Sequence, residues 1–230
     1  MKAIVRMLDR RKVWRSLPDY PVYAPPFRYE QSEIPSHGQI EQNYQYFLRH
    51  KADRLKYLAD YLAPFSVALK LEATTLPVLG RWLYRYGGHL DPGRGEVVYA
   101  LHHYNPPWTG AYHGLNIIND ISIFAGDYIV SKNRFTRWDA WFGDGTQYTY
   151  EMMGCGQPCI FGSHRPGYEG HHSMLDEIYD CCGAVRQRWK RGVTPVDPWD
   201  KPGEFERRFS YLADADAPPP VPFSQSRLQS

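Results

Sequence analysis

The residues from about Thr109 to Lys132, TGAYHGLNIINDISIFAGDYIVSK, restrict the fold more than any other stretch of the chain. At about 100° per residue, Leu115, Ile117, Ile118, Ile121, Phe124, Ala125, Tyr128 and Ile129 cover about half the circumference of a helix. A segment that apolar needs neighbours on several sides, so the spacing predicts a long helix near the centre of a packed body. Gly114 projects among the apolar positions and Gly126 at their margin, which implies close approach of neighbouring backbone or rings.

The opposite edge of this helix is narrow and polar. Thr109, His113, Asn116, Asp120, Asp127 and Ser131 fall within about 40° of one another, interrupted by Ile123. Lys and Glu, the usual solvent-face residues, are missing from that edge, and short Asn and Asp are poor helix formers. Three readings stand side by side. The edge faces solvent; or it lines a cleft, where His113, Asp120 and Asp127 supply an acid–base set or ligands for a divalent cation; or it is an internal network tying down loop backbone such as that of 102–108. The absent Lys and Glu favour the network.

After Asn133 the period shortens to two. Arg134–Phe142, Gln147–Met153 and Pro158–Gly162 read as strands of an antiparallel meander, with Gly143-Asp144-Gly145 as a turn. Helical spacing also runs over 39–62, stopped by Pro64, and over 74–86, stopped by Gly87-Gly88. A further helix starts at Ser173, with Asp176 completing a capping box, and a short one spans about 203–212. Glu96–Leu101 fits a short strand in a loop-like region, and His102-His103 follow it. The expected fold is α+β, with helices packed on one face of a small antiparallel sheet and Pro-rich arms at both ends. The divisions are 1–36 as a basic and Pro-rich arm, 37–212 as one domain, and 213–230 as a Pro-rich tail.

The 230 residues carry a net charge of only +2, too little for the body to act as a nucleic-acid field. The excess is local: Lys2, Arg6, Arg10, Arg11, Lys12 and Arg15 face Asp9 alone within residues 1–15. Such an arm is ordinarily solvated, and it is the one segment able to touch phosphates or anionic lipid. Residues 16–36 mix five prolines with Tyr20, Tyr23, Phe27 and Tyr29, which predicts an extended strap lying on the domain. No apolar run approaches the roughly 18 residues of a membrane span, and MKAIVRMLDRRK lacks a signal-peptide apolar stretch, so the expected location is cytoplasmic.

Motifs that name a reaction are missing. Gly162-Ser163-His164 is not a nucleophile elbow, and Gly154-x-Gly156 lacks the rest of a dinucleotide fingerprint. Cys155 and Cys159 form a C-x3-C without a second half, and Cys181-Cys182 sit in a helical pattern that suits core filling. His172 and Asp176 stand at i, i+4 and could share a metal, yet nothing resembles an HExxH site, and His171-His172 read as loop residues before the cap. No cofactor is expected.

The stretch NIINDISIFAGDYIVSKNRFTRWDAWFGDG resembles a pattern found in several bacterial α+β families without an agreed activity. In these an apolar helix carries a small residue followed by an acid, here Gly126-Asp127, and a Trp-bearing strand follows, here with Trp138 and Trp141. The families more often carry Glu at the place of Asp127. The resemblance spans 30 of 230 residues. It implies the order helix then strands and a bacterial source, and it implies no catalytic residue.

Eighteen Tyr and seven Trp supply core mass, and equally the anchors of a partner surface. The expected function is therefore binding: a bacterial interaction protein, regulatory or immunity-like, whose partner is another protein. Asn116, Trp108, Tyr112, His102 and His103 are the candidate contacts. The alternative is a hydrolase or metal-assisted enzyme built on the polar edge of 109–132.

Overall fold

Burial runs unbroken from Gly114 to Gly126, so this part of the central helix is enclosed on every side, with Asn116 and Asp120 of its polar edge included. The structure is a computed structural model in which residues 2–28, 35–92, 104–142, 156–163, 165, 170–191 and 201–215 are described. Six helices occur among them: α1 Lys2–Arg15, α2 His37–Leu62, α3 Thr75–Tyr86, α4 Gly114–Lys132, α5 Met174–Arg191 and α6 Glu204–Ala213. Three strands, β1 Arg137–Ala140, β2 Pro158–Ser163 and β3 Gly170–His172, form one antiparallel sheet in the order β1-β2-β3. The fold is α+β, as the periodicities imply.

α4 is the hub. It packs against α2, α5 and α6 and touches β1, while α3 lies across α5 and α6. One apolar cluster runs from Leu58 and Leu62 of α2 through Leu79 and Leu83 of α3 and Ile118 and Ile121 of α4 to Ile178 and Phe209. Ser36 caps α2 by accepting from the Gln39 amide at 3.3 Å, and the Gln39 side chain accepts from the Ser36 amide at 2.8 Å. Ser173 caps α5 in the expected way, with the Asp176 amide donating to its Oγ at 3.1 Å. In the sheet, Trp138 stands opposite Ile160 and Asp139 opposite Cys159. Gly162 has φ +83°, and a side chain there would put its Cβ 2.1 Å from the Phe135 carbonyl.

Several readings change. Residues 2–15 are helical, and Val13, Leu17, Tyr20 and Tyr23 belong to the same apolar cluster as Leu58, Leu79, Ile118 and Phe209. The strap behind them does lie on the domain, as its aromatics imply. α4 starts at Gly114 and not at Thr109, because Gly110 takes φ +57° within a short 3-10 turn, Gly110–Tyr112, ahead of the helix. His171 and His172 belong to β3, paired with Phe161 and Ile160, and are not loop residues. The expected strands Glu96–Leu101 and Gln147–Met153 lie outside the described residues, as does the tail from 216. No helix among the described residues is long and apolar enough to cross a membrane.

Candidate functional site

On the polar edge of α4, Asn116 and Asp120 are buried, His113 and Asp127 are half-buried, and Thr109 and Ser131 at its two ends are exposed. Asp120, fully buried, accepts from Arg54 Nε on Oδ1 at 2.8 Å, and Arg54 Nη2 lies 2.8 Å from Oδ2 as an ion pair without hydrogen-bond geometry. Arg54 comes from α2 and is itself only 4% exposed. Tyr20 from the strap donates its hydroxyl to Asp120 Oδ2, and Asn119 Nδ2 donates to Oδ1 at 3.2 Å. Burial pushes the Asp120 carboxyl up to about 6, against the pull of Arg54, Tyr20 and Asn119. It is therefore ionised at neutral pH. Burial, and then the neighbouring carboxylate, push the Tyr20 hydroxyl well above its ordinary value, so it stays a proton donor.

One turn earlier, Asn116 does the work of a clamp. Its Oδ1 accepts from the Tyr23 amide at 2.8 Å, and its Nδ2 donates to the Trp108 carbonyl at 2.8 Å and to that of His113 at 2.9 Å. His113 Nε2 lies 2.7 Å from the Tyr20 carbonyl, and Arg54 Nη1 donates to the Pro21 carbonyl at 2.7 Å. The polar edge thus stitches the strap 20–23 and the loop at 108 onto α2 and α4. A proline-rich strap offers few amides for a sheet ladder, so its carbonyls and the Tyr23 amide need side-chain partners when buried.

Gly126 and Asp127 form a separate unit with β1. A Cβ on Gly126 would lie 2.0 Å from the Trp138 ring, so glycine is what lets that ring pack on the helix. The Trp138 Nε1 then donates to Asp127 Oδ1 at 2.8 Å, and Lys51 Nζ pairs with the same oxygen at 2.6 Å. Phe47 of α2 meets the Trp138 ring edge to face at 5.0 Å between centroids. The glycine, acid and tryptophan of the sequence pattern are a helix-to-sheet joint.

His113, Asp120 and Asp127 all point into protein and each has its partner. Asn116 is wholly buried and Trp108 is 2% exposed, stacked 6.2 Å from Tyr23, so neither is presented to a partner. Tyr112 is half-buried. His102 and His103 lie outside the described residues, as does Cys155. Cys159 is buried in β2, and Asp176 accepts weakly from Gln157 Nε2 at 3.4 Å. Among the described residues, no three His, Cys, Asp or Glu gather as a metal site, and that holds for His172 and Asp176.

No protein-family model matches the chain, nor does any curated protein or solved structure. Function has to be argued from the surface.

There the exception is α1. It rests on the body through Arg6, Asp9 and Val13 at helical spacing, with Lys12 over the Phe65 ring and Trp14 against the His89 carbonyl on either side. Asp9 is gripped by Arg85 through Nε at 3.0 Å and Nη2 at 2.8 Å, and Tyr61 donates to the Val13 carbonyl at 3.3 Å. The rest of the helix is exposed: Ile4 60%, Leu8 55%, Met7 47%, Trp14 46% and Val5 44%. These are five of the nine large hydrophobic residues that stand exposed among the described residues, gathered on one 14-residue helix. Between them stand Arg11 and Arg15, so that Ile4, Leu8, Arg11 and Arg15 share the outward face at i, i+4, i+7 and i+11. The charge excess in 1–15 marks the segment in the sequence; that its apolar residues also point outward is visible only once the stripe Arg6-Asp9-Val13 is seen to be its seat.

Proposed function

We propose that this is a cytoplasmic bacterial interaction protein, regulatory or immunity-like, that docks through the outer face of α1. The observation that carries the reading is the concentration of exposed apolar side chains on α1 among exposed cations. A solvated surface helix has no use for Ile4, Val5, Met7 and Leu8 together, because singly scattered apolar residues are ordinary and contiguous ones mark a contact. The occupant is a protein with an acidic groove. Cations and apolar residues interleave around this face, whereas a helix lying in a bilayer surface segregates them into two sides. Interleaved Arg, Met and Trp are the composition of a protein interface core, and a helix in a groove is read through such i, i+4 anchors. A net +5 over residues 1–15 calls for a partner of opposite sign.

The enzyme reading would need the α4 edge for chemistry, whereas Asp120 is engaged by Arg54, and Asp127 by Lys51 and Trp138.

The test is a photo-reactive amino acid placed at position 4 or 8, with positions 48 and 57 on α2 as exposed apolar controls. In cells making the full chain, positions 4 and 8 are expected to give one discrete adduct with an acidic protein, absent from the controls and lost in Arg11→Glu/Arg15→Glu. The purified pair should then bind with a defined stoichiometry. Equal adducts at all four positions, or binding of the purified chain to anionic vesicles in place of a protein, would overturn the proposal.

A further inference from the structure

The inner edge of α1 also closes one wall of a pocket of about 510 Å³, a volume in the range of small-molecule sites. The opposite wall comes from the turn Gly87–His89 and the last turns of α5. Three arginines line it, Arg6, Arg10 and Arg186, against one acid, Asp91. Arg186 is committed: its Nη1 donates to the Asp91 carbonyl at 3.0 Å and lies 3.4 Å from the Asp91 carboxylate. Arg6 gives one N–H to the Trp189 carbonyl at 3.0 Å. Arg10 makes no hydrogen bond or ion pair among the described residues, and its guanidinium is held 4.6 Å over the Trp14 ring instead.

The walls are aromatic and built in place. Trp14 donates to the His89 carbonyl at 3.2 Å, and the Trp189 ring lies 4.3 Å from that of His89. Gly88 leaves room for this, since a Cβ there would sit 2.9 Å from the Trp189 ring. His89 brings a buried Nε2 with no hydrogen-bond partner among the described residues. A buried imidazole nitrogen left without a partner is a cost that a bound group can remove.

The geometry points to a binding site for a small aromatic phosphate monoester of nucleoside monophosphate size. Arg10 lies 4.6 Å over the Trp14 ring and Arg6 5.9 Å over the Trp189 ring, so the indole surface left for a flat base lies beside the two cations that would hold its phosphate. The lining sums to +2, which matches the charge of about −2 on a phosphate monoester at neutral pH and exceeds what a carboxylate needs. Arg6 and Arg10 hold unspent N–H donors in the fork that phosphate oxygens fit. This rests on the pocket and not on what docks at Ile4 and Leu8.

The experiment titrates the full chain with each of the four nucleoside monophosphates, following tryptophan fluorescence and calorimetric heat. At least one should bind saturably at one per chain, while its nucleoside and inorganic phosphate each bind at least about tenfold more weakly. Arg10→Ala should weaken that binding about tenfold or more and move the melting temperature by at most about a degree or two, because among the described residues Arg10 makes no hydrogen bond or ion pair and only lies over the exposed Trp14 ring. The assignment is overturned if inorganic phosphate or the nucleoside binds as well as the nucleotide, or if Arg10→Ala changes nothing. It is overturned equally if indole-3-acetate binds better than every nucleotide, or if no nucleotide binds at millimolar concentration.

Discussion

Asp120→Asn tests the buried seam where it is most concentrated. The side chain has no exposed surface and Arg54 is 4% exposed, so the pair is out of reach of solvent. Asparagine keeps one acceptor oxygen but turns the other position into a donor, facing either the Tyr20 hydroxyl or an Arg54 N–H. The guanidinium is then left charged and buried without its counter-ion. Breaking a buried pair from one side costs about 3–5 kcal/mol. For a chain of this length, about 2–4 °C per kcal/mol makes that a fall of roughly 6–20 °C in melting temperature. Circular dichroism melts and urea midpoints of the wild type and the variant measure it. A second comparison isolates the cause: Arg54→Met/Asp120→Leu removes both charges and should recover most of the loss, since apolar replacement of a buried pair is often near neutral. A melting temperature of Asp120→Asn within about 2 °C of wild type, less than a single kcal/mol produces, would refute the reasoning.

Three further outcomes follow from the same contacts. Asp127→Asn should cost less, about 1 kcal/mol, because asparagine can still accept from Trp138 and the lost partner Lys51 is partly exposed; urea denaturation reads this directly. Gly126→Ala should cost about 1–3 kcal/mol by driving a methyl into the Trp138 ring, and Trp138→Leu should relieve part of that cost in a double-mutant cycle. Burial, with Arg10 and Arg6 adding and Asp9 opposing, pulls His89 from 6.5 down to about 4. Between those values the unfolded chain binds the proton that the folded chain refuses, so stability should fall as pH drops from about 6.5 to about 4, and His89→Gln should flatten the slope.

The central helix, the helices of 37–62 and 75–86, and the capped start at Ser173 could be read from apolar spacing and end signals alone, because each has one buried face and a local stop. The same holds for β1 and β2. β3 could not, since Gly170–His172 is three residues long and owes its strand geometry to its pairing with β2, a non-local cause. α1 was hidden differently. Its buried stripe is only Arg6, Asp9 and Val13, two charged residues and one apolar, so hydrophobic periodicity has nothing to report; the Asp9–Arg85 pair that anchors it is 76 residues apart in sequence. For the polar edge of α4, the missing Lys and Glu pointed inward correctly. The partners, Tyr20 and Arg54 on other segments, carry no mark in the sequence that assigns them to Asp120.

In the proposed function the labour of the molecule is divided, with the α4 seam holding the fold and the outer face of α1 meeting a partner. Calorimetric affinity for the purified cross-linked partner, measured on Ile4→Glu/Leu8→Glu and on Asp127→Asn, tests that division most directly. The α1 variant should keep its melting temperature and lose at least about 30-fold in affinity, as removal of a hot spot worth about 2 kcal/mol would do. Asp127→Asn should melt earlier and, while folded, bind as the wild type does. Unchanged affinity in the α1 variant, or lost affinity in a folded Asp127→Asn, would contradict it.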